Sequence, residues 1–227
     1  MTAIEIIPGI FQVGGPGLTD TNDCLSYLIQ GSPTVLIDTG AGPSASTIAS
    51  NITETGCSLN DIEILFLTHC HIDHIGGAFY FKRHCPNLTI IAHARDAEAI
   101  QTGDPIQTAA TWYGLRLAPL PLDVTFHEDK KEIQATPSPV TFLHTPGHTP
   151  GSCVVLTERQ GVKVLFGQDI HGPFMAEFGS DLSLWKNSME RLLRLEADIL
   201  CEGHYGIIKG KEEVRSFIQH HLNLEGF

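Results

Sequence analysis

The sequence predicts an α/β fold in which two β-sheets pack face to face with helices on the outside. Short apolar runs of strand length recur along the whole chain and outnumber the helical stretches. Some of them, such as "IEILFLTH" at 62–69 with Ile64–Leu67 inside it, hold a continuous apolar run, the pattern of a strand buried on both faces. An irregular, proline-rich stretch at 104–122 divides the chain, and the layout of strands and helices before it is repeated in style after it.

The elements follow in order. "IEIIPGIFQVGG" and "CLSYLIQG" read as two strands joined by a glycine-rich loop around Gly14–Asp23. "TVLIDTG" is a short strand ending in Asp38, and "SASTIASNITETG" a helix with Gly56 placed for a left-handed C-cap. After the strand at 62–69, "GGAFYFKRHC" reads as a helix, "LTIIAHA" as a strand and "ARDAEAIQTG" as a helix. Beyond 104–122, "DVTFHED", "KEIQA", "PVTFLHT", "SCVVLTE" and "KVLFGQD" are short strands separated by turn residues. "SLWKNSMERLLRLEA" is a helix that Ser183 or Asp181 could cap, with Leu184, Ser188, Leu192 and Leu195 on one face. "DILCEGH" is a last buried strand and "KEEVRSFIQHHL" a last helix. The expectation is one domain over 1–227, with two pseudo-equivalent halves meeting near 104–122.

Composition narrows the function classes. With 42% hydrophobic and 18% charged residues, the 227-residue chain can bury a substantial core. The net charge is −12, from 14 Lys+Arg against 26 Asp+Glu, and no basic run occurs. A nucleic-acid surface or an anionic-membrane surface needs clustered positive charge, so neither partner is expected. The N-terminus lacks a basic segment before its apolar residues, and no apolar run reaches a bilayer span. Six scattered cysteines without a C-x-x-C pair read as reduced thiols, which points to the cytoplasm. The expected partner is a small-molecule substrate, and the oligomeric state is left open.

Titratable residues gather at strand ends. Asp38 ends "TVLID", His69 ends "ILFLTH", His148 follows "VTFLH", Asp169 ends "VLFGQD" and His204 ends "DILCEGH". Taken singly, a histidine there is more often a hydrogen-bonding residue and Asp38 a turn former. The stretch "HCHIDH" at 69–74 is denser than such roles require. In an extended backbone positions i and i+2 face one side, so His69 and His71 can grip one ion. If a helix follows, Asp73 and His74 occupy its first turn and face a second ion, while Gly76 and Gly77 allow close backbone approach. Imidazole and carboxylate donors without thiolate suit zinc, iron or manganese.

These motifs, "THCHIDHIGG", "TPGHTPGS" and "EGH" in this order, resemble the metallo-β-lactamase superfamily over nearly the whole chain. The resemblance implies a four-layer αβ/βα sandwich with metals at one edge between the sheets. It implies His69, His71 and His148 as ligands of a first metal and Asp73, His74 and His204 as ligands of a second. Asp169 would bridge them, and Asp38 would orient the ligand histidines from behind. Within the superfamily the motifs are most similar to hydroxyacylglutathione hydrolase (glyoxalase II) and its shorter relatives. An aspartate stands at 169 where zinc β-lactamases commonly carry cysteine, which argues against β-lactam as substrate. Only residues 205–227 follow His204, so the helical domain that binds glutathione in the full-length hydrolase is expected to be missing.

The resulting expectation is a hydrolase with two divalent metal ions, zinc before iron or manganese. A hydroxide shared by the two ions would attack a thioester, lactone or other activated ester, with Asp73 relaying the proton. His171, Phe174, Met175 and Phe178 in "HGPFMAEFGS", with Trp112 and Tyr113 as a possible lid, are the substrate-pocket candidates. Equally, these aromatics could serve only to pack neighbouring loops. The alternatives are a persulfide dioxygenase-like oxygenase with a single iron and a non-catalytic binding protein on the same scaffold.

Overall fold

The computed structural model describes residues 2–227. A seven-stranded sheet contains β1 (Ile4–Ile7), β2 (Ile10–Gln12), β3 (Tyr27–Ile29), β4 (Thr34–Ile37), β5 (Ile62–Phe66), β6 (Thr89–His93) and β7 (Val124–Phe126), in that spatial order. A six-stranded sheet runs β13-β12-β11-β10-β9-β8, from β8 (Lys130–Ile133), β9 (Val140–His144), β10 (Cys153–Arg159), β11 (Val162–Phe166), β12 (Ile199–Glu202) and β13 (Gly206–Lys209). The helices are α1 (Ala45–Glu54), the single turn α2 (Ile72–Ile75), α3 (Ala78–His84), α4 (Ala94–Thr102), α5 (Leu182–Leu193) and α6 (Lys211–Leu224).

Strand periodicity builds the four layers. Ile64 and Phe66 of β5 face the second sheet, where Phe66 stacks on Phe142 of β9 with ring centroids 3.9 Å apart. Leu65, between them, faces the opposite way, into a cluster with Ile48 and Ile52 of α1, Phe81 of α3 and Ile100 of α4. In the second sheet Val155 and Phe166 point inward, while Val154 and Leu165 pack on Trp185, Met189 and Leu192 of α5 and Ile218 of α6. Each fully buried aliphatic or aromatic side chain contributes about 1.5–3 kcal/mol.

Several expected boundaries move. The first predicted strand is a hairpin: Pro8 and Gly9 turn the chain, Gly9 with φ 78°, and β1 pairs antiparallel with β2. Val124–Phe126 pairs parallel with β6, so the chain passes from one sheet to the other at 127–129 and not within 104–122. β13, unpredicted, extends the second sheet beside β12. In α5 the buried face is Trp185, Ser188, Met189 and Leu192, and Leu184 is exposed. Asp181 supplies the cap, accepting from the backbone N–H of Ser183 and Leu184. Gly56 takes φ 85° just beyond α1, as its sequence position predicts.

Strands β4, β5 and β6 run parallel, as do β11 and β12, so their C-terminal ends open on one edge, where loops converge. The two halves are tied together there. The Cys153 N–H donates to Thr68 O (2.9 Å), the Leu25 N–H to Gly203 O (2.8 Å), and the Tyr27 hydroxyl to Glu202 O (2.8 Å). Gly76 and Gly77 allow a close approach, but to the 39–42 loop: a Cβ on Gly76 would lie 2.2 Å from Ala41 O. Backbone cannot step aside as a side-chain end can. Gly76→Ala should therefore destabilise the fold by about 1–3 kcal/mol. A urea midpoint equal to that of the parent would show that the loop yields freely.

Candidate metal centre

Local structure sets the direction of each side chain in the motif. β5 stops at Phe66, the chain bends at His69 and Cys70, and His71, with φ/ψ of −70°/143°, leads into α2. His69 and His71 consequently face the same space, their rings edge to face with centroids 4.7 Å apart. Asp73 and His74 lie within the turn of α2, as the sequence predicts. His148 comes from the loop after β9, Asp169 from the loop after β11 and His204 from the loop after β12. His69, His71, Asp73, His74, His148 and Asp169 are buried, and His204 stands at the mouth.

Hydrogen bonds to the outer nitrogens decide which atoms face inward. Thr68 Oγ1 donates its one proton to Asp38 Oδ2 (2.7 Å), so at 3.1 Å it accepts from His69 Nδ1. That leaves the lone pair of a neutral His69 on Nε2, which has no hydrogen-bond partner among the described residues. His148 Nδ1 donates to Pro173 O (2.8 Å), and its Nε2 meets His71 Nδ1 at 2.9 Å. His74 Nδ1 donates to Asp38 Oδ2 (2.7 Å), which turns its Nε2 toward Asp73, Asp169 and His204. Partners of this kind fix ligand tautomers in metal sites.

Asp169 lies between two donor groups. Its Oδ2 is 3.6 Å from His69 Nε2 and 3.3 Å from His148 Nε2. Its Oδ1 is 3.1 Å from both His74 Nε2 and His204 Nε2. Asp73 Oδ2 adds a second carboxylate, 3.4 Å from His204 Nε2. Two sets of donor atoms therefore converge within metal-holding distance: His69, His71, His148 and Asp169, and Asp73, His74 and His204.

The electrostatics suit cations. Burial holds His69 well below its ordinary pKa and His71 at about 3, so both imidazoles are neutral and keep lone pairs. Burial would raise Asp169, but the imidazoles of His74 and His204 and hydrogen bonds from His148 and His204 outweigh it and keep the carboxyl ionised. Burial would likewise lower His204, yet Asp169 beside it lifts it to about 10. The neutral imidazoles of His69 and His71 beside the Asp169 carboxylate, with buried nitrogen and oxygen atoms left unpartnered, are a donor set that fits a divalent cation, and on His74 and His204 the neighbouring carboxylates favour a positive charge that a second cation would supply in place of a proton.

A cavity of about 230 Å³ opens over these residues. Its walls include Trp112, Tyr113, His171, Pro173 and Phe178 beside His71, Asp73, Asp169 and His204. Phe178 packs edge to face on His71 at 4.4 Å, and Trp112 lies 4.9 Å from Phe178. Trp112 Nε1 also donates to Glu177 Oε1 (3.0 Å), joining the 104–122 segment to the loop after Asp169. Phe174 and Met175, expected at this wall, do not line the cavity. Phe174 turns inward against Trp185, centroid to centroid 4.9 Å.

Four supporting residues escaped the sequence reading. Gln168 Nε2 donates to Asp38 Oδ2 (2.8 Å), and Thr68 bonds Asp38 through both its N–H and its hydroxyl. Asp96, buried at the start of α4, accepts from the N–H of Cys70 and Gly151 and from the Thr149 hydroxyl, so it clamps the His71 and His148 loops together. Glu202 accepts from His171 Nδ1 (2.6 Å) and from the backbone of His204 and Tyr205. Nothing in "ARDAEAI" distinguishes Asp96 from a solvated helix acid, whereas Gln168 and Glu202 sit within two positions of expected ligands.

Comparison with known proteins agrees with this geometry. A probable metallo-hydrolase of Methanocaldococcus jannaschii is 27% identical over 150 residues, covering 66% of this chain and 68% of that protein. The acyl-coenzyme A thioesterase MBLAC2 of Homo sapiens is 28% identical over 189 residues, 71% of this chain and 63% of that protein. Among solved structures, a metallo-β-lactamase from Cronobacter sakazakii superposes with a TM-score of 0.82 at 20% identity, covering 99% of this chain and 95% of that one. Such a likeness carries the αβ/βα sandwich, which the two helix-flanked sheets match. The family model described as the metallo-beta-lactamase superfamily matches residues 19–204, and the chain belongs to that superfamily, whose members bind divalent metal.

Proposed function

We propose that the protein is a hydrolase of thioesters and related activated esters, lactones included, that works with two divalent metal ions. The observation that carries this reading is the placement of Asp169, one carboxylate oxygen toward His69 and His148 and the other toward His74 and His204. His69, His71 and His148 would hold one ion, Asp73, His74 and His204 the other, and Asp169 would touch both. A second donor set favours two ions over the single iron of an oxygenase. What the cations supply when bound is a water acidified from about 15.7 toward about 7 and a polarised carbonyl.

The chain's own residues do the rest. Asp38, Thr68 and Pro173 fix the ring orientations, so the donors need little rearrangement. Asp73 lines the cavity, and the carboxylate oxygen it does not turn toward His74 and His204 would take a proton and pass it to the leaving group. A thiol leaving group, with an ordinary pKa near 8.5, needs less of that help than an alcohol. Phe178 and Trp112 offer apolar surface for the acyl part and exclude water. The relative named as an acyl-coenzyme A thioesterase supports the thioester class.

Elemental analysis of protein purified without added metal, followed by a thioester and lactone screen on that sample, tests both parts. Close to two ions per chain and turnover of an acyl-chain thioester are expected. No more than one ion after reconstitution with zinc, iron and manganese in turn would sink the dinuclear reading, and oxygen uptake with a persulfide would replace the hydrolase. S-lactoylglutathione should rank below the acyl-chain thioester in kcat/KM, because no Lys or Arg among the described residues lines the cavity to meet the glutathione carboxylates.

A further inference from the structure

A second cavity, of about 330 Å³, opens between the start of α4, the end of β9 and α5 and shares no lining residue with the cavity over the candidate metal centre. Arg95, His127, Asp129, His144, Asn187 and Arg191 supply its polar lining, and Leu184 and Pro146 its apolar wall. The chain as a whole carries −12, yet two of its 14 cationic side chains meet here against one carboxylate. Asp129 does not neutralise either of them: neither arginine is ion-paired among the described residues, and the Asp129 carboxylate is 3.9 Å from His144.

The two guanidinium groups differ in a useful way. Arg191 is held in place, donating from Nη1 to His144 O (3.0 Å) and from Nη2 to Asp129 O (3.4 Å). Five donors on a guanidinium leave the rest of its fork free. Arg95 is exposed, and its side chain makes no hydrogen bond among the described residues. One fixed and one free fork, with the Asn187 amide between charged neighbours, match the bidentate geometry of carboxylate and phosphate. The volume lies at the small end of ligand pockets, roughly 300–1,000 Å³, so the occupant is metabolite-sized.

We propose that this cavity is a binding site, separate from the metal centre, for a small organic anion: its carboxylate or phosphate on Arg95 and Arg191, its apolar part against Leu184 and Pro146. The site adjoins the metal cluster at two places. His144 ends β9 and Pro146 lies in the following loop, which carries His148, while Arg95 precedes Asp96, which clamps Cys70, Thr149 and Gly151. An occupant here, against Pro146, is thus placed to influence the loop of His148 without touching His148 itself.

Calorimetric titration of the metal-containing full chain with inorganic phosphate and with phenylphosphonate tests this. Both should bind saturably, phenylphosphonate about tenfold tighter because its ring leaves water. Arg95→Ala should weaken both by at least about tenfold, the size of a lost charge-assisted contact, with an unchanged Tm. His204→Ala, which alters the metal cluster, should leave both affinities intact. Absence of saturation at about 10 mM, weaker than the roughly 1 mM of a −4 kcal/mol interaction, would overturn the site. So would binding that survives Arg95→Ala, or binding lost with His204→Ala, since the anion would then belong to the metal centre.

Discussion

Asp169→Ala is expected to lower kcat/KM by at least about 10³-fold, the equivalent of roughly 4 kcal/mol of transition-state stabilisation. The size follows from geometry. A terminal ligand serves one donor set, but the two oxygens of Asp169 face four imidazole nitrogens, two on each side, at 3.1 to 3.6 Å. Its removal withdraws a ligand from both sets and leaves the two imidazole clusters without the anion between them. Metal content should fall below one ion per chain after dialysis, whereas His69→Ala should retain about one. Asp169→Asn separates charge from shape: one oxygen remains, but the amide nitrogen would point two donors at imidazole lone pairs on the other side. It should lose nearly as much activity as Asp169→Ala. Near-parental rates with full metal in either Asp169 variant would show that Asp169 bridges nothing.

The layers and the clustering of the candidate metal-holding residues were legible because both are written in short, strong patterns. The two-residue period of β5, β9 and β11 separates facing from outward residues, and uninterrupted apolar runs mark strands covered on both sides. "HCHIDH" was legible because four titratable side chains within six positions, on a short bend that runs into a helical turn, have little room to point apart. Other features leave no such mark. "IEIIPGIFQV" is apolar throughout, so only the Pro8–Gly9 turn betrays the hairpin, and a strand with a kink reads the same way. On α5, Leu184 and Trp185 are adjacent and both apolar, and which one faces the sheet depends on Trp185 Nε1 reaching Ile170 O at 2.8 Å, a contact across the chain.

The same limit applies to the walls of the active cavity. Phe174 and Phe178 are four residues apart in one loop, yet one fills space beside Trp185 and the other covers His71. Loop aromatics have no period, so their direction is set by whichever hydrophobic surface is near. Asp96 is the clearest case. Its burial raises its pKa, and its worth lies entirely in three donors that come from positions 70, 149 and 151. A single sequence cannot bring those positions together. Long-range polar clamps are therefore the part of a metal centre least visible before the fold is known.

The last expected result concerns Asp38, which does not line the cavity and stands behind His74 and Thr68. It is fully buried in a left-handed conformation, φ 56°, at the end of β4. Its Oδ1 accepts from the Thr68 N–H (2.9 Å), and its Oδ2 accepts from the Thr68 hydroxyl, His74 Nδ1 and Gln168 Nε2. Both oxygens are thus surrounded by donors, and this defeats the isosteric change Asp38→Asn. Placed at Oδ1, the amide nitrogen would meet the Thr68 N–H; placed at Oδ2, it would meet three donors. Either orientation leaves buried donors unpaired, at about 1–3 kcal/mol each. Asp38→Ala goes further, because it removes both acceptors: it releases His74 Nδ1 and, through Thr68, the tautomer of His69, which should cost about 10–100-fold in metal affinity. Gln168→Ala removes only one of the four donors and should cost less. Combined with Asp38→Ala it should add almost nothing, because the bond it would break is already lost. Zinc titration and urea unfolding of the two single variants and the double variant would show this non-additivity. Full additivity of the two changes would mean that Gln168 and Asp38 act separately, and that the ligand rings are oriented by something other than this network.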